Sequence, residues 1–286
     1  DTKETVLERL AALKAYGQCS VVIDLIYGLP GQTMEVWEQD LADLVISGVD
    51  GADLYQLNVF DGSDLNKDIA NGKVPAAATT AMQGDMFKFG RKYLNERSYR
   101  RLSAAHWSAN NRERSLYNIL AKAGVPMFPF GSGAGGNVDG YGMMLHRALK
   151  PYEDMVIRGE KPFMALMKQS ELQPVVNQVV SQLEQGFLNI MSLVTLEPRL
   201  EELNWLYKLW EERGLVAYNG LLYKLTAAGE FWTVNLTQST LEAVEYIMTG
   251  KNSFAMEAVA AQDTKTTSKD NPNQEVRGIG QGKANI

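Results

Sequence analysis

The sequence predicts a mixed α/β fold, in which a parallel sheet or open barrel is followed by a small winged-helix-like module. Apolar strand segments alternate with amphipathic helices at intervals of roughly 30 to 45 residues, the rhythm of βαβ units. Nearer the C-terminal end, a helix, a hairpin signal at Asn219-Gly220 and another helix follow one another. An apolar content of 45% and a charged content of 22% are typical of a globular chain and not of a disordered one.

Hydrophobic periodicity places the elements of the first part. Val6, Leu7, Leu10 and Leu13 form the apolar stripe of an N-terminal helix. An apolar run then predicts a buried parallel strand, and apolar residues at helical spacing follow Thr33. The predicted elements, in order, are helix 1–17, strand 20–27, helix 33–48, strand 53–60, helix 76–96, strand 99–107 and helix 112–122.

The pattern changes around residues 159–162, where we place a domain boundary. Helices are predicted over 170–186, over 198–213 with Pro198 in the first turn, and over about 226–248. The predicted division is therefore residues 1–162 for the barrel part, 163–256 for the winged-helix-like domain and 257–286 for a disordered tail. That tail is rich in polar residues and glycine and has little to bury.

Charge and composition exclude several classes of protein. A net charge of −6 argues against a general nucleic-acid binder, which needs a basic face for phosphate contacts. No apolar run approaches the roughly 20 residues of a membrane span. No signal peptide is evident, and one cysteine, Cys19, cannot form a disulfide framework, so a cytoplasmic location is expected. Because the chain starts at Asp1 on a packing helix, we expect it to be a piece of a longer protein.

The stretch Asp-Leu-Ile-Tyr-Gly-Leu-Pro-Gly-Gln-Thr, residues 24–33, carries the clearest chemical signal. Asp24 lies in an apolar run, and burying an unpaired carboxylate costs several kcal/mol, so we expect it to face a polar cavity or a ligand. Gly28 begins a tight turn, after which Thr33 can cap a helix. An acid near the carboxyl end of a strand, before such a turn, is typical of a nucleoside site. A structural carboxylate that caps the turn is the equal alternative.

The next predicted strand also presents polar side chains. Its alternation puts Leu54, Gln56, Asn58 and Phe60 on one face, and Tyr55 on the other. Two amides on one face of a strand are expected where that face lines a cavity.

A glycine-rich loop at residues 131–136 fits the pattern G-x-G-x-x-G of dinucleotide-binding proteins, and Glu153 follows about 20 residues later. The preceding segment contains Pro126 and Pro129, and the following residues make a poor helix start, so the dinucleotide interpretation is weak. Close approach of the backbone to a ligand remains open, as does a surface loop that needs positive φ.

The two histidines each have a functional and a structural interpretation. His106 ends a predicted strand and could be an acid–base group or a ligand contact, although a histidine bonded within the fold is favoured on sequence alone. His146, near Met143 and Met144, could bind a haem iron, but plain packing is the commoner outcome. Residues 198–213 are too acidic for a DNA recognition helix, which favours a cover or docking module.

Residues 24–33 closely resemble the signature of radical SAM enzymes of the oxygen-independent coproporphyrinogen III oxidase family, and the similarity covers roughly residues 3–250. The run from Tyr99 through 112–118 to the loop at 130–136 most resembles one branch, the anaerobic haem-degrading methyltransferases of haem utilisation. The resemblance implies the C-terminal part of a partial (β/α) barrel, two S-adenosyl-L-methionine (SAM) molecules and a 4Fe-4S cluster.

The same resemblance assigns roles to single residues. Asp24 matches the acid that contacts the second SAM, with Gly28, Gln56 and Asn58 nearby. Phe60 stands where the family has a small residue at that SAM, which departs from the pattern. Gly133 and Gly135 match the glycine-containing strand end near the first SAM, and His106 matches a histidine near the porphyrin, as a candidate catalytic residue.

The implied activity is anaerobic opening of the haem ring with methyl transfer and iron release, driven by an electron donor such as a flavodoxin. The family binds its cluster through Cys-x-x-x-Cys-x-x-Cys, which this sequence lacks, so we expect no metal ligand here and an inactive fragment. Coproporphyrinogen oxidation and haem delivery by a chaperone of the same fold are the alternatives; a transcription factor is a remote one.

Overall fold

The computed structural model describes residues 2–250 and confirms the mixed α/β class. The first group of elements is α1 Lys3–Tyr16, β1 Val22–Tyr27, α2 Met34–Ser47, β2 Gly51–Gln56, α3 Asp64–Ala70, α4 Thr80–Asn95, β3 Arg100–Arg101, β4 His106–Ser108 and α5 Leu116–Lys122. A middle group follows, with β5 Gly135–Val138, β6 Tyr141–Leu145, α6 Leu149–Ile157 and β7 Phe163–Lys168.

The last group forms the C-terminal module, which begins at α7. It comprises α7 Gln173–Glu184, β8 Phe187–Leu188, α8 Ile190–Val194, the 3₁₀ helix Pro198–Leu203, α9 Asn204–Glu212, β9 Val216–Tyr218, β10 Tyr223–Leu225, α10 Ala227–Phe231 and α11 Thr233–Thr249. The predicted disordered tail, 257–286, lies outside the described residues, and the boundary near 162 remains a prediction. Within residues 2–250, no helix is long and apolar enough to cross a membrane.

The first sheet has the strand order β1-β2-β4-β3. β1 and β2 are parallel, as predicted, and pair Asp24 with Asp53. The prediction that residues 99–107 form a third parallel strand is wrong, because β4 runs antiparallel to β2 and pairs His106 with Asp53. The chain reverses between β3 and β4, where the Leu102 N–H donates to the His106 carbonyl, so no crossover helix separates the two short strands.

Helices α2 and α4 cover one face of this sheet. Trp37, Leu41 and Leu44 of α2 are fully buried, and the Trp37 indole N–H donates to the Met86 carbonyl of α4 at 2.9 Å. Thr33 caps α2 as predicted, because its hydroxyl accepts from the Val36 N–H. Since strand side chains alternate between faces, burying Leu54 against these helices leaves the neighbouring side chains of β2 on the opposite face.

The middle sheet, β5-β6-β7, is antiparallel throughout. Gly135 is the first residue of β5 and pairs with Met144, so a strand and not a helix follows the glycine-rich loop. The dinucleotide interpretation of that loop is therefore wrong, because it needs a helix N-terminus facing the phosphates.

The C-terminal module encloses an apolar core of its own between its helices and the sheet β8-β10-β9. The hairpin at Asn219-Gly220 is confirmed, but its loop has four residues and not two. The Asn219 side-chain oxygen accepts from the Leu221 and Leu222 N–H groups and so holds the wider turn. The predicted helix 198–213 starts as a 3₁₀ turn, and the predicted helix 226–248 breaks at Trp232.

Candidate functional site

Three chemically active side chains lie in one row across the first sheet. Asp24 of β1 pairs with Asp53 of β2, and Asp53 pairs with His106 of β4. Paired residues in neighbouring strands project from the same face, so the row lies on the face that α2 and α4 leave uncovered. The row therefore presents two neighbouring carboxylates, one of them next to an imidazole.

A cavity of about 350 Å³ opens beside this row, between the end of the first sheet and the C-terminal module. Apolar walls come from Tyr27, Leu54, Phe87 and Phe231. The polar lining groups include Asp53, Tyr55, Gln56, Asn58, Glu184 and Glu230. The volume lies within the range of small-molecule sites, and apolar walls with a few placed polar groups are typical of them.

Ion pairs hold the two sides of the cavity together. Arg91 of α4 donates to Glu230 of α10, and the Arg101 guanidinium lies 3.8 Å from the same carboxylate. Lys122 lies 3.5 Å from Glu184, which also accepts from the Ala104 N–H at 3.1 Å. Burial lowers the pKa of Arg101, which Glu230 and Glu184 partly offset. These contacts join the first sheet to the C-terminal module around the cavity.

His106 is buried between two carboxylates and does not lie on the cavity wall. Its Nδ1 is 3.0 Å from Asp53 Oδ1, and its Nε2 is 3.3 Å from Glu113 Oε1, without the geometry of a hydrogen bond. The hydrogen bond to Asp53 raises the pKa of His106 although burial opposes it. The residue proposed as catalytic from the sequence therefore contacts another site residue and not the cavity itself.

Asp24 differs from its expected environment. It was expected to face a cavity, but it is exposed and is not among the cavity-lining residues. Asp24 lies on β1, an edge strand of the described sheet, and is exposed there, whereas the side chains of His106 and Asp53 in the same row are only 5% and 14% exposed. Its carboxylate is open to a ligand that lies on the row.

Gln56 and Asn58 both line the cavity, as expected, but β2 ends at Gln56, so the predicted strand 53–60 is too long and Asn58 belongs to the loop after it. The Gln56 side-chain amide donates to Gln83 Oε1 at 2.8 Å, and Gln83 donates to the Leu57 carbonyl. Phe60 lies beyond the end of β2, is 67% exposed and does not line the cavity. Whether any of these groups binds SAM remains a prediction.

Gly28, Gly133 and Gly135, the three glycines predicted to bind a cofactor, take part in turns and in strand pairing. The Gly28 N–H donates to the Gln32 side chain at 2.7 Å, and a Cβ at Gly28 would come within 2.6 Å of Gln83. The Gly133 N–H donates to the His146 carbonyl, and Gly135 belongs to β5. None of Gly28, Gly133 and Gly135 lines the cavity, so the structure does not bring them together with Gln56 and Asn58 there.

The sequence interpretation missed Asp53 as a site residue, together with Tyr55, Glu184 and Glu230. Strand alternation already separates Asp53 and Tyr55 from buried Leu54, and that signal could have found them. Glu184 and Glu230 come from the C-terminal module, and no local pattern indicates that they approach the first sheet.

The family's iron–sulfur cluster does not fit the residues of this chain. Such a cluster is held by several cysteine thiolates, and the sequence has one cysteine, Cys19, which is exposed. Within residues 2–250, no group of three or more His, Cys, Asp or Glu side chains could hold a metal ion. A SAM nucleoside fits better, because its ribose hydroxyls are donors that carboxylates such as Asp24 and Asp53 can accept from.

Comparison with known proteins identifies the relatives, although no protein-family profile matches. The chain is 34% identical to anaerobilin synthase of Escherichia coli O157:H7 over 244 residues, which are 85% of this chain and 54% of that protein. It is 30% identical to the mitochondrial radical S-adenosyl methionine domain-containing protein 1 of Danio rerio over 118 residues, 41% of this chain and 26% of that protein. The chain thus spans about half the length of anaerobilin synthase and less of the mitochondrial relative.

The fold gives a matching result. Coproporphyrinogen III oxidase from Escherichia coli, described as a radical SAM enzyme, superposes with a TM-score of 0.67 at 17% identity, over 84% of this chain and 59% of that structure. At this identity the superposition shows a shared fold. The chain is therefore similar in sequence to anaerobilin synthase, and it shares its fold with coproporphyrinogen III oxidase, a radical SAM enzyme.

Proposed function

We propose that this chain works as part of a radical SAM methyltransferase that opens the haem ring anaerobically and releases iron. The observation that carries the proposal is the 34% identity to anaerobilin synthase, which extends over 85% of the chain. The tandem of a barrel sheet and a C-terminal module that share a cavity supports it, because a ligand bound there would contact both.

The chain's own part in this reaction is to bind and orient ligands. Asp24 and Asp53 would accept hydrogen bonds from ribose hydroxyls of a SAM molecule that lies along the row. The amides of Gln56 and Asn58 and the aromatic walls of the cavity would hold polar and apolar ligand groups beside it. Once bound, SAM supplies the methyl group and the radical chemistry of this family.

The cluster ligands have no counterpart in this chain, which has one cysteine. The whole enzyme would act on a porphyrin-bearing substrate with two SAM molecules and a reductant such as a flavodoxin, in a cytoplasmic setting. These partners are carried by the relationship to anaerobilin synthase and not by contacts in the structure.

Coproporphyrinogen III oxidation is the second candidate, and the shared fold with the Escherichia coli oxidase favours it. The two reactions use related substrates but leave different products: a linear methylated tetrapyrrole from haem, or a decarboxylated porphyrinogen from coproporphyrinogen III.

The deciding experiment uses a form of the protein that carries the three cluster cysteines, reconstituted anaerobically with SAM and a reductant. We expect haem absorbance to fall and a linear tetrapyrrole to appear by mass spectrometry, while coproporphyrinogen III stays unchanged. Decarboxylation of coproporphyrinogen III with intact haem would establish the second candidate. Haem that binds and remains intact would replace both with haem delivery.

A further inference from the structure

The two carboxylate oxygens of Asp53 differ in their hydrogen bonding within the described residues. Oδ1 is 3.0 Å from the His106 ring, while within residues 2–250 no hydrogen bond reaches Oδ2. The side chain is 14% exposed and lines the cavity. A carboxylate that accepts from one fixed donor keeps its second oxygen in a defined place, where a ligand hydroxyl or amine can donate to it.

Glu113 contacts His106 on the side of the ring opposite Asp53. Glu113 Oε1 lies 3.3 Å from His106 Nε2 and also accepts from the Ser115 N–H. Ser115 has a φ of +52°, an uncommon conformation for a residue with a side chain, and this turn aims its N–H at Glu113. Gly51 lies under this contact, because a Cβ there would come within 2.7 Å of the Trp107 carbonyl oxygen and 3.1 Å of the Glu113 side chain.

We propose that His106 is a positioning residue that holds Asp53 as a second ligand-binding carboxylate, next to Asp24. This inference rests on the proposed function, in that the ligand is taken to be the nucleoside of SAM. The chain Glu113–His106–Asp53 fixes the acceptor oxygen of Asp53, and Asp24 lies in register one strand away. The paired carboxylates then match the adjacent 2′- and 3′-hydroxyls of a ribose, each of which can donate one hydrogen bond.

The charged groups that face His106 are carboxylates, which favour the protonated form of its imidazole. Asp53 contacts it from β2, and Glu113 contacts it from the loop after β4, while the next carboxylate along the row, Asp24, is one strand further away. Lys122, which lines the cavity, is paired with Glu184, and Arg101 nearby is paired with Glu230, so neither cation is paired with the groups around the imidazole. An imidazolium therefore fits this position, in agreement with the raised pKa of His106.

The coupling can be measured on the chain without cluster or substrate. The sequence has two histidines, so a His146→Gln variant identifies the His106 signals in NMR spectra of ring-labelled protein. We expect Asp53→Asn to lower the midpoint of the His106 titration. The matched control, Asp24→Asn, removes a carboxylate that does not touch His106 and should change the midpoint less. An unchanged midpoint in Asp53→Asn would overturn the inference.

Ligand binding then separates positioning from simple packing. The probe is S-adenosylhomocysteine, a stable analogue of SAM, measured by calorimetry on the same chain. His106→Asn keeps an N–H donor near the Nδ1 position, whereas His106→Phe keeps the ring volume and removes the donor. We expect His106→Phe to weaken binding about tenfold, and His106→Asn to weaken it less. Equal binding by both variants and the unchanged protein would overturn the inference.

The outcomes distinguish this inference from the proposed function. If the unchanged chain does not bind the probe while Asp53→Asn still lowers the His106 midpoint, the nucleoside assignment fails and the positioning of Asp53 stands. Circular dichroism and thermal unfolding check that each variant is folded. If His106→Phe does not fold, the NMR titrations of Asp53→Asn and Asp24→Asn decide the matter.

Discussion

The first sheet and the C-terminal module are both built from helices packed on a small sheet, but they differ in where their polar side chains lie. In the module, helices and a three-stranded sheet enclose the apolar core, and a buried polar group such as the Tyr207 hydroxyl is paired, here with Thr240 at 2.9 Å. In the first sheet, helices α2 and α4 cover one face, while the other carries Asp24, exposed, and Asp53, with one oxygen unbonded among the described residues. The first sheet therefore leaves two carboxylate groups on one face that can accept hydrogen bonds from a ligand.

The comparison also assigns a task to the module. Glu184, Glu230 and Phe231 of the module reach the cavity beside the first sheet. Ion pairs from Arg91 and Lys122 hold those carboxylates against the first region. The module therefore supplies one wall of the cavity, and the first sheet with its neighbouring loops supplies the other.

The largest expected effect tests whether the covered face of the sheet holds the first region together. Trp37→Ala removes a fully buried ring and its hydrogen bond to the Met86 carbonyl, and should cost about 3–5 kcal/mol of unfolding free energy. Ile46→Ala is the control, because Ile46 lies on the same helix and is 73% exposed, and should change stability by less than about 0.5 kcal/mol. Urea denaturation measures both, and similar losses would contradict the assignment of the covered face.

Two glycines in helices differ in the space that surrounds them, and alanine substitutions test this difference. A Cβ at Gly229 would come within 2.0 Å of the Leu215 carbonyl, so Gly229→Ala should destabilise the module by about 1–3 kcal/mol or more. A Cβ at Gly84 of α4 would meet only ordinary contacts at 3.9 Å from Phe231. Gly84→Ala should therefore stabilise the chain by about 0.5–1 kcal/mol. Changes of the same sign in both variants would contradict the packing described.

The smallest expected effect concerns pH. The hydrogen bond to Asp53 raises the folded-state pKa of His106, so this contribution is fully present below the unfolded value of about 6.5 and is lost as pH rises through the raised folded value. Unfolding free energies measured between slightly acidic and alkaline pH should fall more steeply for the unchanged chain than for His106→Asn. Parallel pH curves would show that His106 is not held in its charged form.

Local signals predicted much of the fold. The parallel pair β1–β2, the Thr33 cap and the Asn219-Gly220 hairpin each depend on residues close in sequence, and each was found. The antiparallel direction of β4 was not predicted. The residues of a strand show the same pattern whether it pairs parallel or antiparallel, and only its contacts with β2 and β3 reveal the direction.

The site was less accessible to sequence reasoning than the fold. Gln56 and Asn58 do line the cavity, but strand alternation does not explain Asn58, which follows the end of β2, and Tyr55 of the other predicted face lines it too. Asp53 owes its fixed position to His106 and Glu113, which lie more than 50 residues further along the chain. The glycine-rich loop was misleading because its glycines serve a turn and a strand, and only pairing with β6 reveals that.

The row of carboxylates is the centre of this account, and equilibrium binding of S-adenosylhomocysteine tests it most directly. The chain, Asp24→Asn, Asp53→Asn and the double variant should be compared by calorimetry under one set of conditions. Each single change should weaken binding about tenfold, and the double variant should show that the two effects are coupled, because both oxygens meet one ribose. Binding that is unaffected by either substitution would show that the nucleoside does not lie on the row.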